Sequence, residues 1–290
     1  MHRSGTSYVA SIVQAGGVVL GERLFGATFA NLRGHFEDTD FSGFQERLLA
    51  AHGAARSGWT LQNHVAIEHR FENEALALID ARSHLALWGW KDPRNALFLD
   101  FWLRLLPDAC FVFIYRKPWE VVDSLFRRGD WDIRCDPLLS ARAWIEHNTR
   151  ILQFRRKQPG RSLLANVQGV VNDQTRFLAL LEQRFGLTLA APQAELFEQS
   201  LMHTLRGGSF EERALATFFP RSMSLYRELE ESADIASIDS IEPHESNPAD
   251  LAAPVMMQWQ YLRSLESNVR NLRFRVDSEP SLSPADNSPR

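Results

Sequence analysis

The run Cys110-Phe111-Val112-Phe113-Ile114 is short, wholly apolar and closed off by Pro107 before it and Pro118 after it. A run of this length without polar alternation reads as a β-strand covered on both faces. Pro118 fits the first turn of a helix, which the pattern carries to about Arg128. Ser162–Val167 is a second apolar run, followed by a helix over Asp173–Phe185 that Gly186 stops. Strands alternating with helices call for an α/β fold: three layers, α/β/α, around a mainly parallel central sheet. Cys110 is expected in the core of that sheet. At 290 residues, 44% of them hydrophobic, the chain can bury such a core.

The remaining elements follow from periodicity and breakers. Thr6 to about Ala15 reads as a short helix ending before Gly16-Gly17. Residues 16–43 read mostly as loop. Helices are expected at Phe44–Ala51, Glu72–Arg82, Arg94–Leu106 and Asp136–Arg156, and a strand at Leu85–Trp90. These elements make one domain, residues 1–232. Residues 233–253 form an acidic, Ser- and Pro-rich linker. Residues 254–273 have helical spacing (Met257, Tyr261, Leu262, Leu265, Val269, Leu272), and 274–290 read as a disordered tail. There is no run of 18 apolar residues and no signal peptide, so the expectation is a cytoplasmic protein. Cys110 and Cys135 are too few for a disulfide framework.

Charge narrows the ligand. The formal net charge of −4 excludes a general nucleic-acid binder. It also hides a split: residues 116–161 carry 11 basic and 6 acidic side chains, whereas 228–290 carry 5 and 12. Only 3 of the 32 cationic residues are lysine (Lys91, Lys117, Lys157), so a lysine in a motif is not there through abundance.

Two motifs point to phosphate. His2-Arg3-Ser4-Gly5-Thr6-Ser7 is a small, hydroxyl-rich turn opening a helix. Gly5 permits close backbone approach, the helix N–H groups face an anion, and Thr6 and Ser7 add hydroxyls. An ordinary cap by Ser4 or Thr6 explains the same residues. The second motif delivers Arg116 at a strand's carboxyl end, with Ser124 two turns into the next helix. Ligands of open α/β sheets bind at that end.

Together, Arg3-Ser4-Gly5-Thr6-Ser7 and the Arg116/Ser124 pair resemble the sulfotransferase family that uses 3′-phosphoadenosine 5′-phosphosulfate (PAPS). That family pairs a [K/R]-S-G-[T/S]-[T/S] loop with an R-x₇-S element. Asn31 to Glu37 and Trp90-Lys91-Asp92-Pro93-Arg94 also look like its bacterial branch, and the likeness spans roughly residues 1–230. It implies a P-loop NTPase-like topology without a Walker lysine, and PAPS as co-substrate with no metal. It further implies that Arg3, Ser4, Gly5, Thr6 and Ser7 hold the 5′-phosphosulfate and that Arg116 and Ser124 hold the 3′-phosphate. The acceptor would be a carbohydrate or small metabolite. In the family a hydrophobic central strand precedes the phosphate loop. Here the loop begins at Met1, so the first strand is expected to be missing.

Transfer to a hydroxyl needs a base. The resemblance points to Glu37, with His35 as the other candidate. In an extended segment the two would point the same way. Lys91 is expected beside the cleft, stabilising charge on the transferred group. Asp92 and Pro93 would start the next helix, with Asp92 holding Lys91 or Arg94. Trp59, Trp88 and Trp90 are candidates for stacking on a base or sugar, and for plain core packing. His203 and Arg206 match a basic patch without a mechanism. Two other readings stand: a nucleotide- or phosphate-binding protein without catalysis, and an N-terminally truncated, inactive sulfotransferase. A P-loop kinase is disfavoured by the absent Walker lysine.

Overall fold

A computed structural model describes residues 1–26, 35–62, 67–190, 204–205, 209–237 and 252–278. The elements are α1 (Thr6–Ala15), α2 (Thr39–Ala51), α3 (His69–Asp80), α4 (Leu99–Leu105), β1 (Phe111–Tyr115), α5 (Pro118–Arg128) and α6 (Trp131–Cys135). They continue with α7 (Leu138–Lys157), β2 (Ser162–Asn166), α8 (Val167–Asn172), α9 (Gln174–Phe185), α10 (Phe210–Phe218), α11 (Pro220–Ser232) and α12 (Ala252–Ser278).

β1 and β2 pair in parallel, Phe111 opposite Ser162 through Tyr115 opposite Asn166. Side chains of a strand alternate between faces. Phe113, Tyr115 and Leu164 pack with Trp119, Val122, Trp144 and Tyr226 on one side. Ile114, Leu163 and Ala165 pack with Ile12, Phe177 and Leu181 on the other. Both faces are therefore covered by helices, as continuous apolar strands require. A third cluster, largely aromatic, joins α2, α3 and α4 through Phe41, Phe44, Phe71 and Trp102.

The sheet is smaller than expected. Among the described residues it has two strands, with isolated bridges Val19–Trp88, Leu24–Asp38 and Ala165–Ile235. Leu85–Trp90 is not a strand. Its would-be partner Val18–Leu20 is hemmed in by Gly16, Gly17 and Gly21, so pairing stops after one bridge. Trp90 instead stacks flat on Phe41, with ring centres 4.2 Å apart. The helix expected at Arg94–Leu106 is broken: Pro93–Leu97 is a 3₁₀ turn, and buried Phe98 (φ −130°) interrupts before α4. Cys110 is exposed and lies outside the core, because the strand begins one residue later. α2 begins at Thr39 rather than Phe44, since Asp38 caps it by accepting the Asp40 N–H at 2.8 Å.

The C-terminal region joins the body. Asp234 accepts from the Leu164 N–H at 2.9 Å and pairs with Arg155 at 2.8 Å and Arg184 at 2.6 Å. Ile235 is buried, and its carbonyl accepts the Asn166 N–H at 2.7 Å. The close approach depends on Gly169, where a Cβ would meet the Ala236 carbonyl at 2.5 Å. α12 runs through 274–278, positions expected to be tail, and docks on α5 by burying Met256 and Trp259. Trp259 packs edge-on against Phe126, and its Nε1 donates to Asp123 Oδ1 at 3.2 Å. The basic middle of the chain and its acidic end are thus in contact.

Burial alone would raise the Asp234 carboxyl's pKa, but Arg155 and the Leu164 N–H hold it below the ordinary carboxylate value. A carboxylate depressed in the folded state adds stability above its unfolded pKa and loses it as pH falls through the folded one. Asp234→Ala is therefore expected to cost about 2–3 kcal/mol at pH 7. In urea titrations the difference from wild type should shrink as pH drops below 4. A variant as stable as wild type at pH 7 would contradict this role.

Candidate functional site

The phosphate-loop motif folds as a tight turn. Arg3 (φ +62°) and Gly5 (φ +80°) both adopt the left-handed conformation. Gly5 is the N-cap of α1, and no side chain caps the helix, so neither Ser4 nor Thr6 serves that purpose. A Cβ on Gly5 would meet Val167 Cγ2 at 2.3 Å, so only glycine lets the turn lie against the start of α8. The Ser4 hydroxyl is fully buried and, among the described residues, has no hydrogen-bond partner. A buried hydroxyl left unpaired is costly unless something binds there. A helix N-terminus without a side-chain cap, a close backbone and a spare donor make the chemistry of an anion cradle.

The second motif meets the first. Arg3 Nε donates to Ser124 Oγ at 2.8 Å, and Arg116 Nη1 reaches the Arg3 carbonyl at 3.4 Å. Arg116 sits just past the carboxyl end of β1, and Ser124 lies on the buried face of α5. Burial, with the Arg128 and Arg116 cations nearby, pushes the Arg3 guanidinium down to about 9. It remains charged at neutral pH. Several guanidinium groups converging on one partly buried place favour a bound anion.

Lys91 ties two further motifs to the loop. Its Nζ donates to Glu37 Oε1 at 2.6 Å, to the His35 carbonyl at 3.1 Å and to Ser7 Oγ at 3.3 Å. Ser7 Oγ also donates to the His35 carbonyl at 3.3 Å. The segment is not extended as expected: Phe36 has φ +54° and turns the chain between His35 and Glu37. Hence His35 meets Lys91 through its backbone and Glu37 through its carboxylate. Burial, with Lys91 and Arg3 nearby, outweighs Glu37 and lowers the His35 pKa, so its imidazole is neutral at pH 7.

Asp92 serves Arg94, not Lys91. It accepts the Arg94 N–H at 2.8 Å and pairs with Arg94 Nη2 at 2.7 Å, which fixes the turn that carries Lys91. Trp59 is buried, tilted against His2 with ring centres 4.6 Å apart, and donates to Asp130 at 3.2 Å. Trp88 and Trp90 pack in the aromatic cluster of α2 and α4. Asn31–Gly34, His203 and Arg206 lie outside the described residues.

Three contributors escaped the motif reading. Glu120 accepts from Arg116 Nε at 2.7 Å through one oxygen and from the Leu205 N–H at 3.1 Å through the other. Asp123, beside Ser124, holds Arg127 at 2.8 Å and Arg263 of α12 at 2.6 Å. Arg128 chelates Asp130 and lies over the Trp59 ring, 5.6 Å from its centre. Among the described residues, no group of His, Cys, Asp and Glu could hold a metal ion, and no helix is long and apolar enough to cross a membrane.

The loop geometry makes a paired prediction. Gly5→Ala should lower stability by about 2 kcal/mol, from backbone strain and the Val167 clash. Ser4→Ala, which removes a hydroxyl already unpartnered, should be neutral or slightly stabilising. Chemical denaturation of both variants checks this, and the reverse order would refute the cradle geometry.

Residues 1–191 match the model of the sulfotransferase family. No curated protein and no solved structure matches the chain.

Proposed function

The chain belongs to the sulfotransferase family, and from that premise we propose that it moves a sulfuryl group from PAPS to an acceptor hydroxyl. The observation that carries the reading is the convergence of separate segments on one place. Arg3 touches Ser124, while Lys91 bridges Glu37 and the phosphate loop. The fit to an adenosine bearing two anionic groups rests on the unpartnered Ser4 hydroxyl and on the start of α1, which no side chain caps.

In this reading Ser4, Gly5, Thr6 and Ser7 hold the 5′-phosphosulfate through their N–H groups and hydroxyls, with Arg3 beside them. Arg116 and Ser124 hold the 3′-phosphate, and Glu120 aims Arg116. Glu37 takes the acceptor's proton as its oxygen bonds to sulfur. The sulfur–oxygen bond to the 5′-phosphate breaks, and that oxygen keeps the electron pair. Lys91 and Arg3 stabilise the charge left there. Once protonated, Glu37 no longer competes for Lys91, so the ammonium becomes available as charge builds on the leaving phosphate. The neutral His35 imidazole is the alternative base. Most of the rate would come from positioning and electrostatics, as in phosphoryl transfer. The acceptor class is a carbohydrate or small metabolite, and the setting is the cytoplasm. The rival reading, binding without transfer, draws on the Lys91–Glu37 ion pair, which occupies the carboxylate that must act as base.

The test is labelled PAPS with a panel of hydroxyl acceptors, alongside calorimetry with 3′-phosphoadenosine 5′-phosphate. Wild type should bind and transfer. Arg116→Ala should weaken nucleotide binding at least tenfold. Glu37→Gln should bind normally yet lose on the order of 10²-fold or more in kcat. Nucleotide affinity unchanged by Arg116→Ala would sink the assignment. Tight binding with no transfer to any acceptor would favour the rival.

A further inference from the structure

α12 has two faces, and the fold uses one of them. Met256, Trp259 and Gln260 are buried against α5 and its surroundings, and Arg263 pairs there with Asp123 and Glu211. The other face leaves Tyr261, Leu262, Leu265, Val269 and Leu272 exposed, between 44% and 61% of each in solvent, and Met257 and Phe274 are exposed beside it. This is not a scatter of surface leucines. Residues 255, 258, 262, 265, 269 and 272 follow a strict alternation of three and four, and the sequence continues it with Val276. An α-helix keeps such a series in one line only against a second helix wound around it.

We propose that α12 is the dimerisation element, pairing in parallel with α12 of a second copy of this chain. In heptad terms the a positions are Val255, Leu262, Val269 and Val276, and the d positions are Gln258, Leu265 and Leu272. β-branched residues at a with leucine at d are the combination that selects two parallel strands. Gln258 lands opposite its own copy, where one polar layer fixes the register. The flanking g-to-e′ pairs are Tyr261 with Glu266 and Asn268 with Arg273, so no like charges are brought together. The five exposed side chains offer on the order of 100 Å² each, so two copies bury about 1,000 Å², the lower edge of a stable interface. The dimer is accordingly expected to dissociate on dilution. α12 is latched to Asp123, the neighbour of Ser124, through the face opposite the pairing surface.

The experiment is sedimentation velocity on the full chain from about 1 to 200 µM, a range bracketing the affinity expected of a minimal interface. Wild type should pass from monomer to twice the monomer mass. Leu265→Arg with Val269→Asp should stay monomeric across the range while keeping, at about 1 µM where wild type is also monomeric, the far-UV spectrum and thermal midpoint of wild type. A second readout is independent of mass. With Cys110 and Cys135 replaced by serine, Leu265→Cys should form an intermolecular disulfide, because a parallel pair sets residue 265 against itself. Arg270→Cys, on the side of α12 nearer the body, should not. A wild type monomeric at 200 µM would overturn the proposal, as would a dimer indifferent to the double substitution. So would a monomer that co-sediments with phosphatidylcholine–phosphatidylserine vesicles, which would assign the face to a membrane.

Discussion

The parallel pairing of β1 with β2 sets the position of both phosphate motifs. Its five-residue register fixes where β1 ends, and Arg116 follows directly. The same register places Val167, the residue after β2, beneath Gly5. Thus one short ladder positions both the arginine of the second motif and the floor under the phosphate loop. Because the two faces of the ladder are packed by different helices, neither strand can slip by one residue without moving every side chain into the packing of the opposite face.

Ion pairs around this frame are arranged in chains rather than singly. Asp92 holds Arg94, and the turn thus stabilised carries Lys91 to Glu37 and Ser7. Glu120 holds Arg116, which reaches the Arg3 carbonyl. Asp123 joins α5 to α12 through Trp259 and Arg263. In each chain one carboxylate, nine-tenths or more buried, fixes a cation, and in the second that cation also reaches the loop. Buried pairs of this sort add modest net stability, but breaking one strands a charge, so they resist partial rearrangement.

Much of the site was legible because the motifs are local. The turn at residues 2–7, the strand-end Arg116 and the helix from Pro118 all depend on neighbours in sequence, and backbone chemistry dictates them. Leu85–Trp90 misled because its tryptophans satisfy a strand pattern, yet stack in an aromatic cluster instead. Cys110 misled because an apolar run does not reveal where its first residue leaves the sheet. The His35–Glu37 spacing misled because Phe36 turns in the left-handed region, which no residue type there announces.

Sequence alone determined the α/β character, the two motifs, the helix that opens at the first of them and the helical spacing of α12. These are matters of periodicity and local conformation. Only the tertiary structure decided that Arg3 faces Ser124, that Lys91 links Glu37 to the loop while Asp92 holds Arg94, and that Asp234 and α12 belong to the body. Each is a contact between residues far apart in the chain. Such contacts are set by which surfaces pack together, and sequence spacing carries no record of that.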